Sequence, residues 1–213
     1  MEFKKLTKAN ENIVLTDKEK LSRIKNAAKH YGKFLESLGY DYLADGQTEE
    51  TPLRVAKAWM NDLTIGSFSE PPSFKVFPNE DKYEGVVIQT GIRVNSLCAH
   101  HNLPFYGWCS IAYLPGEYVI GLSKLNRIVD FYARRPQMQE SLTKQIHKYL
   151  SEKLECESIA VSISSKHMCC GLRGIRHPES IMTTNEFTGK FMESGNLIRE
   201  EFLHAISKNG NNF

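Results

Sequence analysis

Apolar residues recur at helical spacing early in the chain. Between residues 21 and 38 they fall every three or four positions, at Leu21, Ile24, Ala28, Tyr31, Leu35 and Leu38. Thr16 and Glu19 form a capping-box pattern just before this stretch, and Gly39 follows it. The pattern therefore predicts a long amphipathic helix that begins after Thr16 and stops near Gly39.

A second, shorter helix is predicted to begin at Thr51, because Pro52 then occupies the first helical turn, where proline is favoured. The apolar positions of this segment fall on one side of a helix and are expected to form its buried face: Leu53, Ala56, Met60 and Leu63. Glycine and proline residues between positions 66 and 78 indicate a loop after it.

The apolar period shortens to two residues in the middle of the chain. Residues 86–94 are rich in β-branched side chains, residues 105–113 alternate with two largely apolar faces, and residues 158–165 alternate again, so each predicts a strand. Residues 118–121 predict a short strand. Helices are predicted from Ser123, as the cap, to Arg134, from Pro136 onward, and roughly over residues 192–206. This order of elements predicts an α+β fold with a mostly antiparallel sheet.

Composition narrows the class of protein. The 213 residues are 41% hydrophobic and 24% charged, which is typical of a globular domain and excludes disordered and fibrous proteins. The net charge is only +2, so no extended nucleic-acid surface is expected. No segment reaches the roughly 20 apolar residues that span a membrane, and the first residues lack the apolar core of a secretory signal. A cytoplasmic protein without a membrane or nucleic-acid partner is expected.

Two short segments carry candidate metal ligands. Cys98 and His101 are separated by two residues, a spacing that lets both side chains reach one ion, and residues 166–170 add a pair of thiols directly after the predicted strand 158–165. Five cysteines, an odd number with irregular spacing, indicate reduced thiols rather than a disulfide framework. Two thiolates and one imidazole favour zinc, and three protein ligands would leave the fourth position for water, as in catalytic sites.

The spacing leaves alternatives open. Either Cys169 or Cys170 can be the second thiolate, and Cys170 or His100 could supply a fourth ligand, which would make the site structural. Cys98 can also be a buried thiol beside polar loop histidines.

Five segments in order along the chain resemble the GTP cyclohydrolase I family: residues 51–57, 96–105, 119–128, 134–143 and 167–174. The resemblance covers roughly residues 45–205. It implies a tunnelling fold (T-fold), with an antiparallel sheet that carries helices on one face, an N-terminal arm and helix over residues 1–45 and a catalytic domain over residues 46–213. It also implies a ring-shaped homo-oligomer, usually a decamer of two pentamers, with active sites at subunit interfaces.

The resemblance also implies a reaction. Zinc held by Cys98, His101 and Cys169 would activate a water that hydrolyses GTP at C8, with Cys170 as a neighbour and not a ligand. Formate is released, and the remaining atoms rearrange and close to 7,8-dihydroneopterin triphosphate, the first step of folate, pterin or deazapurine biosynthesis. His100 and His167 match the family's proton-transfer histidines, and imidazoles suit this role because they titrate near neutral pH.

Substrate contacts follow from the same resemblance. Glu140 would accept hydrogen bonds from N1 and the 2-amino group of guanine, with Gln139 beside it. Without the resemblance, Glu140 would be interpreted as an acidic residue in the first turn of a helix. The triphosphate would be bound by one hydroxyl and four cationic side chains: Ser123, Lys124, Arg127, Arg173 and Lys57.

Two features depart from the family pattern. Ala99 stands where the family usually has glutamate, and residues 182–187 follow the family's hydroxyl-rich loop only partly. Activity is expected to survive, because the ligands, both histidines, the guanine carboxylate and the cations remain. Two alternatives compete with this interpretation. One is a T-fold relative with other chemistry, such as a nitrile reductase that uses a cysteine nucleophile. The other is a non-catalytic, zinc-stabilised oligomer with four protein ligands.

Overall fold

The computed structural model describes residues 3–208. The chain divides into two compact units, one that ends at Glu70 and one that begins at Pro71. The predicted catalytic-domain boundary at residue 46 concerns the family's domain and stays a prediction. Within the described residues, no helix combines the length and the apolar content that crossing a membrane requires.

The first unit contains helices α1 (Asp17–Ser37) and α2 (Thr51–Ala58), and α2 runs on into a π-helical turn, Trp59–Leu63. The predicted capping box is confirmed: Glu19 N donates to Thr16 Oγ1 (3.3 Å), and Thr16 N donates to Glu19 Oε2 (2.8 Å). The small core of this unit joins residues of the arm to both helices: Ile13, Leu15, Ile24, Ala56 and Met60.

Only two of the four residues predicted for the buried face of this segment are buried. Ala56 and Met60 are buried, but Leu53 and Leu63 are 37% and 38% exposed. The α-helix runs for only about two turns before the π-helical turn changes its period, so Leu63 no longer falls on the face that Ala56 defines.

The second unit is built, within the described residues, on seven strands: β1 (Phe77–Pro78), β2 (Val87–Cys98), β3 (Pro104–Tyr113), β4 (Tyr118–Val119), β5 (Pro136–Gln137), β6 (Ile159–His167) and β7 (Met182–Phe187). β1 and β4 pair with each other, and the other five form one sheet in the order β5-β2-β3-β6-β7. All pairs in that sheet are antiparallel except β5 with β2, so the predicted, mostly antiparallel sheet is confirmed. β7 was not predicted from the sequence.

Two helices cover one face of the five-stranded sheet, α3 (Leu122–Ala133) and α4 (Gln139–Leu154). Phe105, Cys109 and Ile111 of β3 point into this main core. The neighbouring Ala112 points the other way, into a second cluster with Phe202 of the last helix (Leu197–Lys208). The expectation of helices on one face only was therefore wrong, because this last helix packs on the opposite face. Both faces of β3 are apolar in part because the last helix covers the face that α3 and α4 do not cover.

Three helix starts differ from the prediction. Gly121, not Ser123, occupies the N-cap of α3, and among the described residues no side chain caps that helix. Pro136 belongs to the short strand β5, and α4 begins three residues later at Gln139. The last helix begins at Leu197, because the chain before it turns through Gly195 at a φ of 76°.

Candidate metal centre and active site

Three side chains from two separate segments converge at one end of the sheet. Ligand atoms of Cys98, His101 and Cys169 all lie within 4.8 Å of one another, and Cys98 Sγ is 3.9 Å from His101 Nδ1. Cys98 is the last residue of β2 and is buried, His101 is exposed in the following loop, and Cys169 is half-buried in the short helix α5 (Met168–Gly171). The structure thus brings together the three candidate ligands that the family resemblance implied.

A tight hairpin loop returns His101 toward Cys98. The N–H of Cys98 donates to the carbonyl of Leu103 (2.9 Å), and the N–H of Asn102 donates to the carbonyl of Cys98 (2.8 Å). Asn102 has a φ of 55°, a left-handed conformation that asparagine tolerates better than most residues. The loop between β2 and β3 is therefore short and internally bonded, which fixes the Cys98–His101 spacing.

Strand pairing sets the position of the third candidate ligand, Cys169. β6 pairs with β3 so that His167 lies opposite Phe105, and the chain then turns into α5, which places Cys169 two residues beyond the sheet. Burial and the neighbouring sulfurs of Cys98 and Cys170 raise the pKa of Cys169 to about 11.

The donor set fits a divalent metal ion. If both of these neighbouring thiols ionised, the two thiolates would repel each other. A divalent cation between them would offset that repulsion. Two thiolates and an imidazole match zinc in softness. Neither Cys170 nor His100 belongs to the converging group of the described residues, which has three members.

His167 is held from two sides. Its imidazole stacks on the phenyl ring of Phe105, with ring centroids 4.6 Å apart and planes 7° apart. Its Nε2 lies 2.9 Å from Oε1 of Gln139. Burial lowers the pKa of His167, and the negative charge of Glu140 opposes that shift. Burial therefore favours the neutral form of a ring that the stack and the hydrogen bond hold in place, two residues from the candidate metal ligand Cys169.

The second predicted histidine has a different environment. His100 is exposed in the hairpin loop, and its ring lies edge-on to His101, with centroids 6.2 Å apart. His100 and His167 therefore come from different segments: His100 lies in the loop after β2, and His167 is the last residue of β6.

Gln139 and Glu140 differ sharply in exposure although they are adjacent at the start of α4. The side chain of Gln139 is 1% exposed and is hydrogen-bonded inside the protein, whereas Glu140 is exposed. No sequence pattern distinguished them, because the contacts of Gln139 come from β6 and β7, and β7 was not predicted.

The predicted phosphate-binding residues lie on partly or fully exposed surfaces. Ser123 and Arg127 are exposed on α3 and Lys124 is half-buried beside them, while Arg173 is exposed after α5. Lys57 is exposed on α2 in the first unit. Ser123, Lys124 and Arg127 occupy the first two turns of α3, so they share the end of that helix where backbone N–H groups favour anions.

Comparison with known proteins gives consistent matches. A family model described as GTP cyclohydrolase I matches residues 27–207. A protein named GTP cyclohydrolase 1 from Porphyromonas gingivalis is 41% identical over 195 residues, which cover 91% of this chain and 99% of the relative. Proteins of the same name from Flavobacterium johnsoniae (42% identity, 90% of this chain, 84% of the relative) and Salmonella gallinarum (40% identity, 84% and 80%) are similarly close.

Proposed function

Because this chain belongs to the GTP cyclohydrolase I family, we propose that it opens the imidazole ring of GTP at a zinc ion held by Cys98, His101 and Cys169. It is an enzyme of this class, and the nitrile reductase alternative is not favoured. The observation that carries the proposal for the metal is the convergence of the three ligand atoms within 4.8 Å.

A three-ligand centre suits hydrolysis better than a structural role. When bound, zinc would act as a Lewis acid that lowers the pKa of water to about 7. Cys98, His101 and Cys169 would hold it through two soft sulfurs and one nitrogen, and three protein ligands would leave a fourth position for water. Cys98 comes from a buried strand end, and Cys169 from a helix directly after another strand, so both thiolates are anchored by the sheet.

His167 is proposed to transfer protons during ring opening and formate release. Burial lowers its pKa, which favours the neutral imidazole at pH 7, and this is the form that has a free lone pair to accept a proton. Stacking on Phe105 restrains the ring, which keeps its nitrogens at fixed positions. His100, which is exposed in the loop that carries His101, is proposed to transfer protons in the same reaction.

Guanine recognition is assigned to Glu140. Its carboxylate would accept hydrogen bonds from N1 and the 2-amino group, and the same face of adenine offers no such pair of donors. Glu140 is exposed at the start of α4 and is close enough to raise the pKa of His167, so a base bound by it would lie near that ring.

The triphosphate is proposed to lie along the first turns of α3. Ser123, Lys124 and Arg127 would bind it there, because backbone donors and positive side chains act together at a helix N-terminus. Arg173 and Lys57 are proposed as further phosphate contacts on the basis of family membership and of their exposed positive charge.

Several broader properties belong to the same proposal. A ring-shaped homo-oligomer, a decamer of two pentamers with active sites at subunit interfaces, is supported by family membership. β7 is also one of the two edge strands of the five-stranded sheet in the described residues, and a neighbouring copy could pair with it. A T-fold, a cytoplasmic location and a role in folate, pterin or deazapurine biosynthesis are proposed on the same basis. Mass measurement in solution by light scattering tests the assembly.

The function is tested by incubating metal-quantified protein with GTP. Formate release and the fluorescence of the oxidised pterin are followed together. The proposal predicts both signals, and their loss on chelation and in Cys98→Ser. Nicotinamide oxidation in place of formate release would instead identify a reductase. Zinc content without either signal would contradict hydrolysis, and Ala99→Glu would then be the first variant to prepare.

A further inference from the structure

The side chain of Gln139 joins polar groups of β6 and β7 at the end of the sheet where His167 lies. Its Nε2 donates to the carbonyl oxygens of Ile163 (2.9 Å) and Met182 (3.0 Å). It is also 3.1 Å from Oγ1 of Thr184. Its Oε1 accepts a hydrogen bond from Ser165 Oγ and lies 2.9 Å from His167 Nε2.

These contacts determine which way the amide faces. Backbone carbonyl oxygens only accept hydrogen bonds, so the NH₂ group of Gln139 must point at Ile163 and Met182. The reversed amide would set its oxygen against two carbonyl oxygens in a site that is 1% exposed, at a large cost in unsatisfied polar groups. Oε1 must therefore face Ser165 and His167.

The orientation of the amide then determines the state of the imidazole. Because Oε1 can only accept, His167 Nε2 must carry a hydrogen, and in the neutral ring Nδ1 is left with its lone pair. Both hydrogens and both lone pairs of the Gln139 amide are used within the described residues. The amide thus has nothing left to offer a bound guanine.

We infer that Gln139 is a positioning residue for His167: it selects the tautomer with hydrogen on Nε2 and holds the ring against Phe105, and this role replaces the predicted contact with guanine. The inference rests on the proposed function in one respect, which is that His167 transfers protons. The orientation of the Gln139 amide and the tautomer of His167 do not depend on that function.

A neighbouring residue provides a matched control. Thr143 lies one turn further along α4, is 2% exposed, and bonds Thr184 Oγ1 of β7 at 2.6 Å. It therefore belongs to the same polar contact between α4 and β7 as Gln139, but its hydroxyl bonds no atom of His167 in the described structure. Thr143→Val loosens that contact without removing the acceptor that faces the imidazole.

The first measurement needs no substitution in the enzyme under test. In the zinc-loaded enzyme labelled with ¹⁵N-histidine, the ¹⁵N shifts of the two ring nitrogens report which one carries hydrogen, and His167→Gln identifies the signal by its disappearance. We expect hydrogen on Nε2. A dominant Nδ1–H form in the wild-type enzyme would overturn the inference.

The second measurement is kinetic. Gln139→Met keeps the volume and removes the acceptor, and we expect kcat for formate release to fall about 10- to 100-fold, with zinc content kept and KM changed less than about threefold. Gln139→Glu, which as a protonated acid retains an oxygen toward His167, should recover part of that loss. Thr143→Val should lower thermal stability but leave kcat within about twofold of wild type.

The outcomes separate this inference from the proposed function. Equal losses of kcat in Gln139→Met and Thr143→Val would show a merely structural role for Gln139 and overturn the inference. Hydrogen on Nε2 in an enzyme that releases no formate would contradict the proposed function and leave the assigned tautomer standing.

Discussion

The imidazole of His167 lies flat against the phenyl ring of Phe105, with centroids 4.6 Å apart and planes 7° apart. The two residues are register partners on β6 and β3, so the antiparallel pairing itself creates the stack. Phe105 is fully buried, which makes it a fixed surface for a ring that is only partly buried. A buried aromatic side chain of the sheet thereby restrains a proposed catalytic residue.

Replacing Phe105 by leucine should affect both stability and rate. The smaller side chain leaves a cavity that lowers the free energy of unfolding by roughly 1–2 kcal/mol. It also removes the flat surface under His167, and we expect kcat to fall by about tenfold as the ring gains freedom. Thermal unfolding and formate release measure the two effects.

Phe191→Leu is the matched control, because Phe191 is also fully buried but packs with Phe202 on the other face of the sheet. It should lose similar stability and keep its kcat. A similar fall in kcat in both variants would show that general loosening, and not the stack, limits the rate.

Asn102 should control metal retention through the shape of the hairpin loop. Asn102→Gly is expected to be tolerated, since glycine adopts a φ of 55° freely. Asn102→Val places a β-branched residue in the left-handed region, at a cost of about 1–2 kcal/mol, and should weaken the hold of His101 on the metal. Zinc loss to a chromogenic chelator measures this, and equal retention in both variants would refute it.

Much of the architecture could be predicted because its signals are local. The capping box of Thr16 and Glu19 marked the start of α1, and the alternation of residues 105–113 indicated β3. β7 was missed because its alternation is polar, with Thr183 and Asn185 exposed, and shows no apolar period. Pro136 suits both a first helical turn and a strand end, and only pairing with Leu97 in β2 decides between them.

The candidate site also combines features with local sequence signals and features that depend on strand pairing. Cys98 and His101 are close in sequence, so a turn was enough to predict their convergence. The hydrogen bonds of Gln139 could not be predicted, because its partners Ile163 and Met182 are brought together only by the pairing of β6 with β7. The stack of Phe105 on His167 likewise depends on register, which the sequence pattern leaves undetermined.

His147 should make stability depend on pH. It is 7% exposed on α4, its Nε2 lies 3.1 Å from Thr188 Oγ1, and burial lowers its pKa while the charge of Glu186 opposes the shift. The folded protein therefore binds this proton less readily than the unfolded chain. Its contribution to stability is complete above about pH 6.5 and is lost as the pH falls below that value.

Thermal unfolding between about pH 7.5 and 5.5, on either side of the ordinary histidine pKa, measures the effect. His147→Gln, which cannot titrate, should lose less stability over this range than the wild type. Thr188→Val removes the hydrogen bond but keeps the imidazole, so it should be less stable at every pH and retain the wild-type slope. An unchanged slope in His147→Gln would contradict the assignment.

Glu140 should discriminate guanine by its 2-amino group. Glu140→Gln exchanges one acceptor for a donor, and loss of a charge-assisted bond of about 1.5–3 kcal/mol should lower kcat/KM for GTP roughly 10- to 100-fold. Inosine triphosphate lacks the 2-amino group, so the penalty should be smaller with it. Glu152→Gln, which changes an exposed glutamate of the same helix that pairs with Lys148 at 3.7 Å, should leave both substrates unaffected.

Zinc K-edge X-ray absorption on the metal-loaded enzyme is the most direct test of a three-ligand centre with one open position. We predict two sulfurs at about 2.3 Å, one imidazole nitrogen and one further light atom, with the same spectrum in Cys170→Ser. Three sulfurs in the wild type that fall to two in Cys170→Ser would mean a closed, structural site, and would contradict zinc-dependent hydrolysis at Cys98, His101 and Cys169.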